Sequence, residues 1–215
     1  MTTRSLLFIT CFGVAMGFLE AAVVVYLRLL YYPGGFDFPM TRLPDLVGLV
    51  ELGREAATII MLWAVAMLTG RTGVARFAWF SILFGIWDLV YYVALKWLLD
   101  WPDSLMTWDV LFLIPFVWTG PVLAPVLISI ALIGGGAALL RFEARGVPIR
   151  LTPIDWSALA LSFVLLLASF GLNHHRVVEG GMPGRYSWEM FAGGGLLAAL
   201  VLLRIRTGAR PGALA

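Results

Sequence analysis

The sequence predicts an all-α polytopic transmembrane helical bundle, from its composition and from six apolar stretches separated by short polar links. Hydrophobic residues make up 61% of the 215 residues and charged residues only 13%, whereas a soluble domain contains about 45 to 50% and about 25%. The links are too short to hold a separate soluble domain. We therefore interpret residues 1–215 as a single integral-membrane domain.

The six stretches are each close to the length of a transmembrane helix, about 20 residues. The first is longer than the apolar core of a cleavable signal peptide, about 7 to 15 residues, so we interpret it as an uncleaved span. Its Gly13 and Gly17 form a GxxxG pattern, which favours close approach of a neighbouring helix. Glycine and proline predict loops on both sides of the second stretch, at residues 33–44 and 70–73. The predicted spans are residues 5–31, 46–68, 74–99, 121–140, 156–172 and 188–203.

Residues 108–118 are apolar but only about half as long as a span requires. One helix over residues 107–142 would be about 54 Å long, against a hydrocarbon core of about 30 Å, and Pro115 and Gly120-Pro121 provide breaks. We predict a short half-helix or re-entrant element at residues 108–118 on the outer side, before the fourth span. Irregular backbone at membrane depth must be buried in protein or line a cavity, so this element also indicates a pocket.

The distribution of basic residues predicts the orientation of the chain. Six spans with both termini in the cytoplasm follow the positive-inside bias, whereas a full span at residues 108–118 would move the last two arginine clusters outside. Lys96 is the only lysine among the 15 basic residues. This arginine bias is typical of a GC-rich bacterial genome, so the predicted location is a bacterial inner membrane. The basic residues predicted to lie inside are Arg4, Arg71, Arg76, Arg141, Arg145, Arg150, Arg204, Arg206 and Arg210.

Histidine gives little support for a cofactor. His174 and His175 are adjacent at the end of the fifth span, which argues against a bis-histidine haem because they point to different sides of a helix. A metal site made from Glu20, Glu55, Asp88 and one histidine lacks a supporting Glu-x-x-His pattern. The cofactor therefore stays unknown and no metal ligands are predicted. No basic run with interleaved aromatics indicates nucleic acid, so membrane lipids are the expected contacts.

The third span contains the segment from Gly85 to Lys96, in which a carboxylate, two phenols and an ammonium lie within an apolar stretch. A spacing of four places Asp88, Tyr92 and Lys96 on one helix face, with Tyr91 beside them. An ionisable group in hydrocarbon costs about 2.5 to 3.5 kcal/mol, so this face must contact protein or water. The segment therefore indicates a buried site.

Helix rise predicts that three acids share one depth. At about 1.5 Å per residue, Glu20 and Asp88 lie about 21 Å from the inner ends of their spans, and Glu55 reaches a similar level from the outer side. If the first three spans are neighbours, these acids face one polar, aromatic-lined pocket near the outer leaflet, where they are the candidate catalytic groups. The residues predicted to bind a ligand there are Trp87, Tyr91, Tyr92, Lys96, Glu51, Arg28, Arg54, Trp108 and Asp109.

A purely structural role for the same charges is the alternative. Buried charges pair and hold helices in register without any chemistry. The tryptophans and tyrosines near residues 87–118 likewise fit an interfacial aromatic belt. The ion pairs expected on this interpretation are Asp88 with Lys96 or Arg28, and Glu51 with Arg54.

Four short motifs carry a resemblance to known proteins. They are Trp87-Asp88-Leu-Val-Tyr91-Tyr92, Trp101-Pro102, Trp108-Asp109 and Gly120-Pro121-Val-Leu-Ala-Pro125. They resemble a group of uncharacterised bacterial multi-pass membrane proteins with about six spans and no assigned activity. This resemblance covers most of the chain and implies a membrane bundle, but it implies no catalytic role. In broad design the chain is also similar to sterol-isomerase-type proteins and integral-membrane terpene cyclases, although it lacks an Asp-rich prenyl-diphosphate motif.

Three functions stay open from these residues. The first is binding of, or action on, a hydrophobic, lipid-like small molecule, in which Asp88 or Glu55 in a dry pocket delivers a proton to an alkene or epoxide. The second is a proton-coupled small-solute transporter, although the sequence shows no internal repeat and its small size would require a homo-oligomer. The third is a non-catalytic subunit or assembly partner of a larger membrane complex, which the short loops and glycine-lined helix faces favour.

Overall fold

The computed structural model describes residues 3–208, and the side chains of residues 6–205. Within that range the chain forms seven α-helices and one antiparallel hairpin of two strands. The side chains of Arg4, Arg206 and Arg210, on which the orientation prediction partly rests, lie outside the described residues. In chain order the elements are α1 (Thr3–Tyr31), α2 (Asp45–Thr69), α3 (Gly73–Leu99), β1 (Trp108–Phe112), β2 (Trp118–Pro121), α4 (Leu123–Ala144), α5 (Pro153–Gly171), α6 (His174–Val178) and α7 (Trp188–Gly208).

Within residues 3–208, six helical stretches are long and apolar enough to cross a membrane, as the sequence predicts. Helices α5 and α6 lie end to end and together make up the fifth, Pro153–Val178. This stretch begins three residues before the predicted start because Thr152 and Asp155 form a capping box. The Asp155 N–H donates to Thr152 Oγ1 at 3.3 Å, and the Thr152 N–H donates to the Asp155 carboxylate at 2.7 Å. A search for apolar residues misses such a start, since the cap is polar.

Helix α3 is central and packs against α1, α2 and α4. Glycine allows the contact with α1. A Cβ atom on Gly17 would lie 2.5 Å from the carbonyl oxygen of Trp87, and one on Gly13 would lie 3.1 Å from the side chain of Ile86. The GxxxG pattern of α1 therefore lies against α3, which confirms the predicted role of these two glycines in helix packing.

Glycine also brings α3 against α4. A Cβ atom on Gly85 of α3 would lie 2.6 Å from the carbonyl oxygen of Ser129, and one on Gly136 of α4 would lie 2.6 Å from the carbonyl oxygen of Ala78. The two backbones therefore touch at two points along α3. Because Asp88 follows Gly85 by three residues, it lies on the face of α3 that meets α4.

Helices α5 and α7 pack against each other, and α7 also contacts α4. Ser162 Oγ of α5 donates a hydrogen bond to the carbonyl oxygen of Gly194 in α7 at 2.7 Å. Helix α5 supports the hairpin as well, because the ring of its Phe170 stacks on Trp118 of β2 with 5.8 Å between the ring centroids. This helix pair thus holds the hairpin against the rest of the bundle.

The prediction of a half-helix at residues 108–118 is wrong, whereas a re-entrant element there stays a prediction. These residues form most of a β-hairpin, in which Asp109 pairs with Gly120 and Val110 with Thr119. Pro115 would interrupt a helix through this segment. A hairpin avoids this problem, because it pairs its backbone N–H and C=O groups across two short strands. Apolar runs of this length do not distinguish a strand from a helix segment, which explains the error.

Candidate functional site

A cavity of about 130 Å³ lies where α1, α2, α3 and the hairpin meet. Helices α1, α2 and α3 contact one another, which satisfies the condition on which the predicted pocket depends. The three carboxyl groups predicted to be catalytic, on Glu20, Glu55 and Asp88, all line this cavity. The structure thus brings these acids together, while their chemical roles stay predictions. The predicted ligand-binding residues that also line the cavity are Trp87, Tyr91, Tyr92, Glu51, Arg28, Arg54 and Asp109.

Three polar residues of the cavity lie at similar distances from one end of their helices. Along their helices, Glu20 lies about 17 Å before the end of α1 and Asp88 about 17 Å before the end of α3. Thr58 lies about 20 Å after the start of α2. The loop at residues 32–43 joins the end of α1 to the start of α2, its Phe36 contacts Trp101 just after the end of α3, and part of it lines the cavity. The cavity therefore extends from this loop to about the middle of the helices.

Arg54 of α2 bridges two of the acids. Its Nη2 contacts Glu51 Oε2 at 2.6 Å and its Nε contacts the same oxygen at 3.0 Å, and its guanidinium also pairs with Glu20 of α1. Thr58 Oγ1 donates a hydrogen bond to Glu20 Oε2 at 3.1 Å. The expected pairing of Glu51 with Arg54 is therefore confirmed. It forms because the two residues are three positions apart on one helix.

Arg28 of α1 reaches the hairpin. Its Nη2 pairs with Asp109 Oδ1 at 3.0 Å, and its guanidinium lies over the ring of Trp101, 3.6 Å from the centroid. Asp109 also accepts hydrogen bonds from the Tyr92 hydroxyl at 3.2 Å and from the Val110 N–H at 2.9 Å. Burial raises the pKa of the Asp109 carboxyl, whereas Arg28 and these two hydrogen bonds act to lower it. The pair of Arg28 and Asp109 therefore ties α1 to β1 at the wall of the cavity.

Asp88 lies against α4 and has no cation partner among the described side chains. Its Oδ2 accepts a hydrogen bond from Ser129 Oγ at 2.7 Å, and the residue is only 8% exposed. The ion pairs expected for Asp88, with Arg28 or Lys96, are therefore wrong, because the hairpin supplies Asp109 as the partner of Arg28. Ser129 is not among the residues predicted for the site. Its only signal in the sequence is that it is the single hydroxyl-bearing residue of the fourth apolar span.

Glu55 joins α2 to the hairpin. Its carboxylate accepts the backbone N–H of Leu113, at 2.9 Å to Oε2 and 3.2 Å to Oε1. After the turn, the backbone N–H of Val117 donates to His174 Nδ1 at 3.2 Å. The turn of the hairpin is thus held between α2 and α6 by two side-chain acceptors. The sequence does not predict this contact of His174, because nothing local indicates a backbone partner 57 residues away.

Lys96 and Trp108, which the sequence analysis assigned to ligand binding, lie outside the cavity. Lys96 is in the last turn of α3, where its Nζ donates to the carbonyl oxygen of Asp100 at 3.2 Å. A cation is favourable at this position, because the C-terminus of a helix carries partial negative charge. Its hydrogen bond and charge also lower the pKa of the exposed Asp100 carboxyl. Trp108 precedes Asp109 on β1, so it points to the other face of the hairpin. Its ring packs against Tyr186 there, with 6.1 Å between centroids.

The cavity contains more acids than bases. Five carboxyl groups and two guanidinium groups line it, so its formal charge would be −3 with every group ionised. A buried charge without a partner is costly, so protons or a cation must balance this excess. Among residues 6–205, no three histidine, cysteine, aspartate or glutamate side chains lie close enough together to hold a metal ion.

Comparisons of the chain with protein-family models, with curated proteins and with solved structures found no match. The resemblance to uncharacterised bacterial membrane proteins therefore stays a prediction. A function has to be inferred from the residues of the cavity themselves.

Proposed function

We propose that this protein spans a bacterial inner membrane, with both termini in the cytoplasm, and binds a mostly apolar small molecule in the cavity, where a carboxyl group exchanges a proton with it. The observation that carries the proposal is the surroundings of Asp88. This buried carboxyl group lines the cavity, is fixed by Ser129 and meets no cation among the described side chains. A buried carboxylate without a partner is costly, and a bound proton removes that cost. Asp88 is therefore the proposed proton carrier.

The two oxygens of Asp88 have different surroundings, which suggests a division of roles. Ser129 Oγ donates a hydrogen bond to Oδ2 at 2.7 Å, so the proton belongs on Oδ1. A ligand group that approaches Oδ1 within hydrogen-bond distance takes the proton, and the Ser129 hydroxyl stabilises the carboxylate that forms. An alkene, an epoxide or a basic nitrogen accepts a proton in this way.

The walls of the cavity favour a ligand with an apolar body. Val24, Leu27 and Met40, from α1 and the following loop, line the part of the cavity nearest the loop. The rings of Trp87 and Phe112, whose centroids are 6.1 Å apart, line the part near the acids. A molecule with a hydrocarbon portion toward the loop and one reactive or polar group toward the acids matches this arrangement.

A pocket open to one side fits the packing better than a transport pathway. Toward the opposite ends of α1, α2 and α3, apolar side chains form a cluster between the helices. A proton-coupled transporter would need a hydrated route through this cluster, so transport has less support. The buried members of the cluster include Ile9, Met16, Leu62, Ala66, Trp79 and Leu83.

Mass spectrometry of the protein purified in nanodiscs tests the proposal. Small molecules are extracted with organic solvent from the wild type, from the Asp88→Asn variant and from the control variant Lys96→Met, whose change lies outside the cavity. We expect one organic compound in stoichiometric amount in the wild type and in the control, and its loss from Asp88→Asn protein of normal elution volume. Equal retention by Asp88→Asn, or the lack of any stoichiometric compound in the wild type, contradicts the proposal.

A further inference from the structure

Both cations of the cavity are already engaged. Arg28 pairs with Asp109 at 3.0 Å, so these two charges cancel. Arg54 is shared between Glu20 and Glu51, with 2.6 Å to Glu51. One guanidinium balances only one of these two carboxylates. An excess acid therefore remains in this group even with both ion pairs formed.

Two further acids of the cavity form no ion pair with a cation among the described side chains. Glu55 accepts the Leu113 N–H at 2.9 Å, and Asp88 accepts the Ser129 hydroxyl at 2.7 Å. The cavity therefore requires three protons or positive charges for neutrality. With a neutral ligand, protons must supply all three positive charges. An anionic ligand raises the requirement to four, whereas a cationic ligand provides one of the three itself. The charges of the site thus select for a cation.

Asp88 offers a free acceptor to such a group. Its side chain is more than nine-tenths buried, it lines the cavity, and no described donor reaches its Oδ1. The rings of Trp87, Tyr91 and Phe112 line the same cavity, and the faces of aromatic rings attract cations. A metal ion fits poorly, since no suitable group of three ligands exists within residues 6–205. A carboxylate beside aromatic rings instead matches an organic cation.

We infer that the ligand is a lipophilic amine, which binds in the cavity as its ammonium ion with Asp88 as the counter-ion. This inference rests on the proposed function and names the group that takes the proton. The amine arrives in its neutral form. The O–H bond at Oδ1 of Asp88 breaks and an N–H bond forms with the nitrogen lone pair, so the pair stays neutral overall. The Ser129 hydroxyl keeps its hydrogen bond to the carboxylate.

Equilibrium binding of two probes of the same shape tests the inference. The probes are radiolabelled N,N-dimethylcyclohexylamine and its neutral isostere isopropylcyclohexane, added to the protein in nanodiscs after removal of endogenous ligand, with binding to empty nanodiscs subtracted. We expect saturable binding of one amine per chain. The isostere is expected to bind at least about thirtyfold more weakly, because it has no lone pair to take the proton of Asp88 and so forms no ion pair with the carboxylate. This selectivity is measured on the wild type and requires no variant.

Variants then assign the selectivity to one side chain. Asp88→Asn should weaken binding of the amine about thirtyfold or more and leave the isostere unchanged, whereas Asp88→Glu should keep the preference and Lys96→Met should change neither. Equal binding of the two probes overturns the inference but leaves the proposed function standing, since a hydrophobic molecule still binds. Unchanged amine binding in Asp88→Asn also overturns it. Failure of both probes to bind overturns it as well, and the extraction experiment then decides on the proposed function.

Discussion

Asp88 of α3 and Ser129 of α4 are joined by a 2.7 Å hydrogen bond beside the contact that Gly85 permits between the two helices. Gly85 lies three residues before Asp88 on the same face of α3. A Cβ atom there would lie 2.6 Å from the carbonyl oxygen of Ser129. One residue of α4 therefore provides both the backbone contact and the hydroxyl. The position of the central acid of the cavity depends on how closely these helices pack.

The Ser129→Ala variant tests whether the hydroxyl positions Asp88. Removing the hydroxyl leaves a buried acceptor of Asp88 without its partner, which costs about 1 to 3 kcal/mol, so we expect the free energy of unfolding in detergent to fall by that amount. The co-purified compound should also be retained less well. The control is Ser162→Ala, because the Ser162 hydroxyl makes an equally short 2.7 Å hydrogen bond in the contact between α5 and α7. Equal loss of the compound from both variants would indicate general instability and argue against a positioning role.

Substitution of Gly85 tests how much the close contact between α3 and α4 contributes to stability. Gly85→Ala introduces a Cβ atom 2.6 Å from the Ser129 carbonyl oxygen, so α3 and α4 must move apart. We expect a loss of about 1 to 3 kcal/mol in unfolding free energy, measured by thermal unfolding in detergent. Gly134→Ala is the matched control, because a Cβ atom on Gly134 would meet nothing within 4 Å. If the two variants unfold at the same temperature, the close contact between α3 and α4 does not limit stability.

The helices and the convergence of the acids follow from regular rules that act along the chain. Composition and length identify six spans, and a fixed rise per residue places Glu20 and Asp88 at one depth. Short connections make α1, α2 and α3 neighbours. The pair of Glu51 and Arg54 is likewise predictable, since its members are three residues apart on one helix.

The contacts that sequence reasoning missed join residues far apart in the chain. Arg28 and Asp109 are 81 residues apart, and Ser129 and Asp88 are 41 apart. Such partners depend on the hairpin and on the position of α4, and neither leaves a local pattern. The hairpin itself was mistaken for a helix because its strands are short and apolar. The same error explains why Trp108 is predicted to bind a ligand together with Asp109. Successive side chains of a strand point to opposite faces, so Trp108 points away from the cavity that Asp109 lines.

Hydrogen exchange tests how the hairpin turn is held. His174→Phe keeps a ring of similar shape but removes the Nδ1 acceptor that lies 3.2 Å from the Val117 N–H. We expect the Val117 amide to exchange at least several times faster in mass spectrometry of the purified protein, because its hydrogen bond is lost. The Leu113 amide should keep its protection, since Glu55 accepts that hydrogen bond.

His175→Phe is the matched control for this experiment, because it makes the same change of ring at the neighbouring position. It should leave the exchange of Val117 unchanged. Faster exchange of Val117 in both variants would indicate that α6 as a whole has loosened. Unchanged exchange in His174→Phe would show that the histidine does not hold the turn.

Loss of Arg54 should destabilise the bundle, because this residue pairs with two buried acids. Arg54→Met leaves Glu20 and Glu51 buried with no guanidinium between them, and breaking a buried ion pair in this way costs about 3 to 5 kcal/mol. The exposed pair of Arg185 and Glu189 provides the comparison: its side chains are 85% and 69% exposed, so Arg185→Met should cost at most about 1 kcal/mol.

A triple variant identifies the cause of that loss. Combining Arg54→Met with Glu20→Gln and Glu51→Gln removes the two acids along with the cation, so most of the lost stability should return in thermal unfolding. If the triple variant is no more stable than Arg54→Met alone, the destabilisation comes from lost packing of the arginine side chain. Recovery would instead mean that Arg54 is needed because of the carboxylates it neutralises. The carboxylates of the cavity that neither Arg54 nor Arg28 neutralises are then the ones that require protons or a cationic ligand.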